Sequence, residues 1–261
     1  MKNFLIEPVG INKEASQTYI NQVKHCLNLV KGVRTGSFLL TTLNNYGKPI
    51  KIIPYSTSAN LSKYGDCNAL ASGNSESSLV EFSPVTWNPL AKCMKGAQRN
   101  NGALAHEVLL HELVHSFRHI SGKSGSISLG GALRYMANNE EFYAVTITNV
   151  FISDPTNRKR SGLRNSHLGH SKLRSEFDDR FEFYGMGVQT FELIERFFLE
   201  HPGMAYGLAA SAKRAKFNPF ADYVNDKERC RRISKERGAQ VEFRRLVWDI
   251  EKIFGISPSN F

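Results

Sequence analysis

The stretch Ala105–Gly122, AHEVLLHELVHSFRHISG, contains His111-Glu112-Leu113-Val114-His115, an HExxH pattern. A helix turns about 100° per residue, so positions i and i+4 fall one turn apart on one face, and His111 and His115 can offer two imidazoles to a single cation. Neutral imidazoles at that spacing chelate zinc. Glu112 projects beside the same point, where a carboxylate can take a proton from a metal-held water and later pass it to a leaving amine. The pattern predicts peptide-bond hydrolysis with Zn2+ as cofactor.

The surroundings favour a helix. Leu109, Leu110, Leu113, Val114, Phe117 and Ile120 recur at helical spacing, and Gly122 stands where a C-terminal cap is expected. Eight histidines in the chain can produce the pattern by accident, but a histidine pair on an apolar helix is costly unless it has a partner. His119 continues the stripe, yet a third ligand on one straight helix cannot close a tetrahedron, so it is assigned to the surroundings of the site or to the surface. His106-Glu107 opens a similar pattern and then places Leu110 where the second histidine is required, which makes it a decoy.

A catalytic zinc needs a third protein ligand and one open position. Asn138–Phe151, NNEEFYAVTITNVF, carries two acids at the start of an apolar stretch. Glu141, three residues before Ala144, fits an E-x-x-A arrangement in which a second helix offers a carboxylate and its small residue permits close packing. That spacing favours Glu141 as third ligand; Glu140 is the alternative, or a charge at the helix start.

At 261 residues and 41% hydrophobic, the chain can bury a sizeable core, and a single domain over 1–261 is expected, with a helical part from about 188 onward. No apolar run approaches the ~18 residues that cross a bilayer, and the opening MKNFLIEPVGINKE shows no Sec-type signal. Cys26, Cys67, Cys93 and Cys230 lack CxxC spacing, as expected of free thiols in a reducing compartment. The net charge of +10 is uneven: six Lys or Arg and no acid lie between Pro155 and Ser175, and eleven basic residues meet five acidic ones from Lys213 to Arg245. Such runs are either solvated faces or docking surfaces for an acidic partner.

Residues 16–32 predict an amphipathic helix ending at Gly32. Ser37–Leu43 and Pro49–Tyr55 predict a hairpin around Asn44-Asn45-Tyr46-Gly47, residues 56–78 a loop, and Leu79–Trp87 a strand ended or interrupted by Pro84. An exposed strand just before the metal helix could pair with an extended peptide. A short helical stretch near Leu90–Lys95 and a turn at Asn100-Asn101-Gly102 lead into the helix; Ser121–Gly131 is a Gly/Ser loop. Gly122-Lys123-Ser124 resembles the end of a phosphate-binding loop, but Phe117 replaces the upstream glycine, so nucleotide binding is rejected. Thr190–Glu200 and Asp226–Phe254 predict helices, the second long and basic, packed on the catalytic core.

HELVHSFRHISG, EEFYAV, ITNVF and GLRNSH together, from Ala105 to His170, resemble the NleD-type zinc metalloprotease effectors of bacterial type III secretion systems, and the helix more distantly resembles that of clostridial neurotoxin light chains. The resemblance implies His111, His115 and Glu141 as zinc ligands and Glu112 as the catalytic glutamate. It further implies an R-x-x-Y pair facing the zinc, matched here by Arg164-Asn165-Ser166-His167, so that Arg164 is the better oxyanion donor and His167 departs from the pattern. Delivery into the host cytosol, and a stress-activated MAP kinase cut in its activation loop as substrate, are likewise implications of the resemblance.

The expected fold is therefore α+β and zincin-like: a small twisted sheet over an HExxH helix, with additional C-terminal helices, working as a monomer without membrane contact. The rival reading is a basic nucleic-acid-binding protein with a structural His/Glu cluster. It lacks any RNP, zinc-finger or helix-turn-helix signature, and few aromatics interleave with its cations.

Overall fold

The computed structural model describes residues 2–10, 13–55, 69–84, 102, 104–164 and 181–254, apart from the side chains of Glu14 and of 247–254. Helix α1 (Lys13–Lys31) forms as its pattern requires, burying Tyr19, Val23, Cys26, Leu27 and Val30. The chain then departs from expectation: Ser37–Leu43 is not a strand but part of helix α2 (Arg34–Asn45), so there is no hairpin here. Leu39, Leu40 and Leu43 are buried along one face, a helical spacing that outweighs the β-branched Thr41 and Thr42. The start of α2 is secured from far along the chain, where Asp154 Oδ2 accepts from the Thr35 backbone N–H (3.2 Å) and hydroxyl (2.8 Å).

Four strands, β1 (Phe4–Ile6), β2 (Ile50–Ile53), β3 (Ala69–Gly73) and β4 (Ser78–Phe82), make one mixed sheet in the order β1-β2-β4-β3. β1, β2 and β4 are parallel, and α1 and α2 provide the crossover that the parallel β1–β2 pair needs. β3 runs antiparallel to β4, with Ala71 opposite Val80, inside the stretch expected to be loop. Its Ala-Leu-Ala-Ser-Gly sequence has little strand propensity; pairing with β4 and packing on the helix below create it. The expected strand at 79–87 is β4, which ends at Phe82 and lies inside the sheet. The edge nearest the metal helix is β3.

Helix α3 (Ala105–Ile120) carries the HExxH pattern and packs under β3 and β4 and against α4 (Asn139–Ser153). After its acidic first turn, helix α4 is largely apolar and buried on every side, as a central helix must be. A 3-10 turn, Gly131–Met136, precedes it and another, Glu182–Met186, precedes α5 (Thr190–Glu200). Helices α6 (Pro202–Ser211), α7 (Pro219–Asn225) and the long α8 (Lys227–Phe254) follow; α6 leans on α2, and α8 packs on both 3-10 turns. Cys26 and Cys230 are buried free thiols. Among the described residues no helix is long and apolar enough to cross a membrane. The expectations for residues 85–87, Leu90–Lys95, Asn100, Asn101, His167, Cys67 and Cys93 lie outside the described residues.

A buried cation joins these layers. Arg118, 1% exposed on α3, donates to both Glu140 oxygens (3.0 and 2.9 Å), to Glu200 Oε2 (2.5 Å) and to His201 Nε2 (2.7 Å), and its guanidinium lies 4.9 Å from the Tyr143 ring centre. Accepting from Arg118 requires a neutral His201. Burial, reinforced by the Arg118 charge, lowers that imidazole from 6.5 to about 4. Between those values the unfolded chain binds the proton and the folded chain does not, so stability must fall as pH drops from about 6.5 toward about 4. Melting temperatures across this window should decline less steeply in His201→Gln, which keeps an acceptor without a titrating ring. Equal slopes would show that His201 does not carry the effect.

Candidate metal centre

The local sequence of α3 turns its apolar residues inward and carries His115 to a cleft at the helix surface, with His111 buried one turn before it. The helix start is fixed by Glu107, fully buried, which accepts from the Leu104 N–H (3.1 Å) and from the Ser161 N–H (2.8 Å) and hydroxyl (2.6 Å). Burial raises its carboxyl, and these donors oppose the rise. His106 is engaged with the Lys159 carbonyl at 2.9 Å. The decoy pair thus anchors the helix to the 159–161 segment. Ser121 caps the end, and Gly122 follows at φ +70°, where the sequence placed the stop.

Helix α4 supplies the carboxylates. Asn138 accepts from the Glu141 N–H at 2.9 Å and sets the first turn, in which successive side chains diverge by about 100°. Glu140 turns to Arg118, whereas Glu141 meets both histidines, Oε2 at 3.0 Å from His111 Nε2 and Oε1 at 3.4 Å from His115 Nε2. The two Nε2 atoms are 3.2 Å apart. For metal bonds of about 2.1 Å, one edge of a tetrahedron measures about 3.4 Å. The ligand atoms of the three groups, one from each, all lie within 4.8 Å of one another, a cluster that could hold a metal ion.

The two histidines meet opposite electrostatic environments. Burial, then the Arg164 charge, hold His111 well below 6.5, so it is the neutral base that a metal ligand must be. Burial alone would lower His115 too, but the Glu141 hydrogen bond and the charges of Glu112, Glu141 and Glu140 outweigh it and raise the imidazole above 6.5. A field that favours a proton there also favours a metal ion. Glu112 is buried beside His115 in a cleft of about 390 Å³, whose walls also include Tyr55, Ala69–Ala71 of β3, His119, Glu140 and Glu141. His119 stands on this wall and is not one of the three clustered groups.

Arg164 is buried, 4% exposed, and so is no part of a solvated basic face. Its backbone is tied to α4 by a reciprocal pair, Arg164 N–H to Asn149 Oδ1 (3.0 Å) and Asn149 Nδ2 to the Arg164 carbonyl (2.7 Å). Gly102, at φ +71°, passes so close that a Cβ would lie 2.8 Å from Arg164 Cδ. The guanidinium donates to His111 Nδ1 at 2.5 Å. A neutral imidazole accepts at one nitrogen only, so if His111 held a metal through Nε2 its proton would sit on Nδ1 and Arg164 would turn to another acceptor. The sequence shows Glu107 only as part of a decoy, and the parts played by Arg118 and Asn149 escape that reading. Asn149 alone left a signal, an amide in an otherwise apolar helix that needs a partner.

An α+β fold in which two helices bring two histidines and a glutamate together over a cleft carrying a further glutamate is the arrangement of a metallopeptidase-type protein. The profile of the Peptidase_M91 family, described as effector protein, matches residues 7–178, well over half of the chain, and the chain belongs to that family. Comparison with curated proteins and with solved structures gives no match.

The adjacent glutamates separate in two measurements. Glu141→Ala should lose bound metal by elemental analysis, since two ligands seldom hold it tightly. Glu140→Gln should keep metal yet unfold more easily, by about 3–5 kcal/mol at most, because it breaks a buried ion pair. Metal lost from Glu140→Gln and kept by Glu141→Ala would reverse the assignment.

Proposed function

We propose that the chain is a zinc-dependent endopeptidase with His111, His115 and Glu141 as metal ligands. The observation that carries this reading is the clustering of those three groups, whose ligand atoms all lie within 4.8 Å of one another, with His115 and Glu141 sharing one cleft with Glu112. Membership of a peptidase family of effectors supports it. The bound cation supplies Lewis-acid polarisation of a carbonyl and acidifies water. Glu112 takes the proton of the attacking water and returns it to the leaving amine. Arg164, turned from His111, donates to the developing oxyanion. The edge strand β3 pairs with the substrate backbone and holds it along the cleft. His167, outside the described residues, keeps its proposed part as a second oxyanion donor.

The whole chain is proposed to act as one zincin-like catalytic unit and as a monomer, delivered by a bacterial secretion system into the host cytosol. Its proposed substrate is a stress-activated MAP kinase, cleaved in the activation loop. Resemblance supports that choice, and so does charge: at +10, the protein favours an acidic docking surface. The rival nucleic-acid reading loses some support where cations of the basic run already have partners within the protein. Arg231 pairs with Glu228 and Glu195, Arg229 lies over Phe181, and Arg245 over Tyr135.

Incubating such kinases with the protein and reading intact masses tests the proposal. Two fragments meeting within the activation loop are expected from the wild type alone; an intact kinase beside cleavage of another host protein would keep the peptidase and remove this substrate. Glu112→Ala should retain zinc while losing several orders of magnitude in turnover, and near-normal turnover would place the base elsewhere. Arg164→Ala should lower kcat by about 10²–10³-fold at unchanged zinc content. A salt-sensitive loss of affinity alone would instead assign Arg164 to docking.

A further inference from the structure

Lys48 lies in the link between α2 and β2, remote in sequence from every residue of the metal centre. Its ammonium donates to two carbonyls, Ser75 in the β3–β4 turn and, at 3.1 Å, Ile120 at the end of α3. The last carbonyls of a helix have no intrahelical partner, and a lysine there is favoured both by hydrogen bonding and by the helix dipole. The turn it grips is well formed. Asn74 Oδ1 accepts from the N–H groups of Glu76 (2.8 Å) and Ser77 (3.2 Å), and Gly73, at φ +157°, has room for no side chain because a Cβ would lie 2.5 Å from the Ser77 carbonyl oxygen. Gly122 abuts the same turn, its Cβ position 3.7 Å from Ser75 Cβ.

A second tie lies one turn back along α3. The Ser78 hydroxyl donates to Ser116 Oγ at 2.9 Å, and Ser116 donates in turn to the Glu112 carbonyl at 3.1 Å. This tie is buried; the Lys48 tie sits at the rim. The pairing of β4 with β2 and the packing of both hairpin strands on α3 hold the body of the hairpin, and these two ties add fixed points where its turn meets the helix. The wall of the cleft formed by Ala69–Ala71 belongs to that hairpin.

We propose that Lys48 is a positioning residue for substrate. It locks the β3–β4 turn to the end of the active-site helix, so that β3 presents its outer edge at a fixed distance from Glu112 and the three clustered groups. The assignment rests on the reading above, in which β3 takes an extended substrate. Lys48 touches neither substrate nor metal, so its loss should register in binding and not in the chemical step.

Lys48→Met keeps the alkyl stem and removes the donors, and Lys48→Arg restores them. Amide exchange should quicken several-fold across residues 69–77 in Lys48→Met and stay unchanged across 105–115. Zinc content should be unaltered. With a recombinant stress-activated MAP kinase as probe, KM should rise roughly tenfold while kcat stays within about twofold, and Lys48→Arg should recover most of the loss. Unchanged exchange in the hairpin overturns the lock, and faster exchange with unchanged KM overturns its role in substrate placement. A fall in kcat or in zinc content overturns positioning in favour of a direct effect on the centre. If the wild type cuts no kinase, the functional reading fails on that count, and the exchange measurement alone decides the lock.

Discussion

The structure depends on a cation that never reaches solvent. Arg118 lies on α3, the HExxH helix, and three other elements are placed by what it needs: α4 through Glu140, the end of α5 through Glu200, and the α5–α6 junction through His201. Stripping water from a guanidinium costs several kcal/mol, and the cost is offset only when well-aligned partners surround it. A bidentate carboxylate, a second carboxylate, an imidazole acceptor and an aromatic face meet that demand. The arrangement tolerates little movement, because each partner lost would leave a buried charge exposed to an apolar interior.

The consequence for the metal centre follows from helix geometry. Glu140 and Glu141 are consecutive, so fixing one on Arg118 fixes the bearing of the next, about 100° around the helix axis. Glu141 meets His111 and His115 on that bearing, while Asn138 holds the backbone of the same turn. Arg164 is set in place by different means, the amide of Asn149 on one side and the bare backbone of Gly102 on the other. The clustered histidines and glutamate thus stand on two helices whose mutual placement is decided outside the cleft.

What could be read from the sequence was what is local. The period of α3, its glycine stop and the HExxH pattern lie within eighteen residues, and α1, α5 and α8 form where their apolar periods put them. The misreadings arose where distant residues decide. Ser37–Leu43 has strand-like threonines, but Asp154, more than a hundred residues later, caps it as a helix. β3 has a loop-like sequence and exists through pairing with β4. Arg118 reads as an ordinary cation in the last turn of an amphipathic helix, and only its partners on other elements show that it is buried. Glu140 and Glu141 could be ranked by spacing alone, since the sequence does not reveal where Arg118 sits.

The clamp of Arg118 on Glu140 also bears on how folding and metal loading relate. In small zinc domains the ligands are scattered until the ion gathers them, so ion affinity is folding energy and a chelator denatures the chain. Here the turn that carries Glu141 is held by an internal cation, and the helix that carries both histidines is held by Glu107, by the sheet and by a large apolar core. Under the proposed function, loading and folding would then be separate equilibria. The chain would meet its ion late, in whatever compartment supplies it, and an ion lost would not mean a chain unfolded.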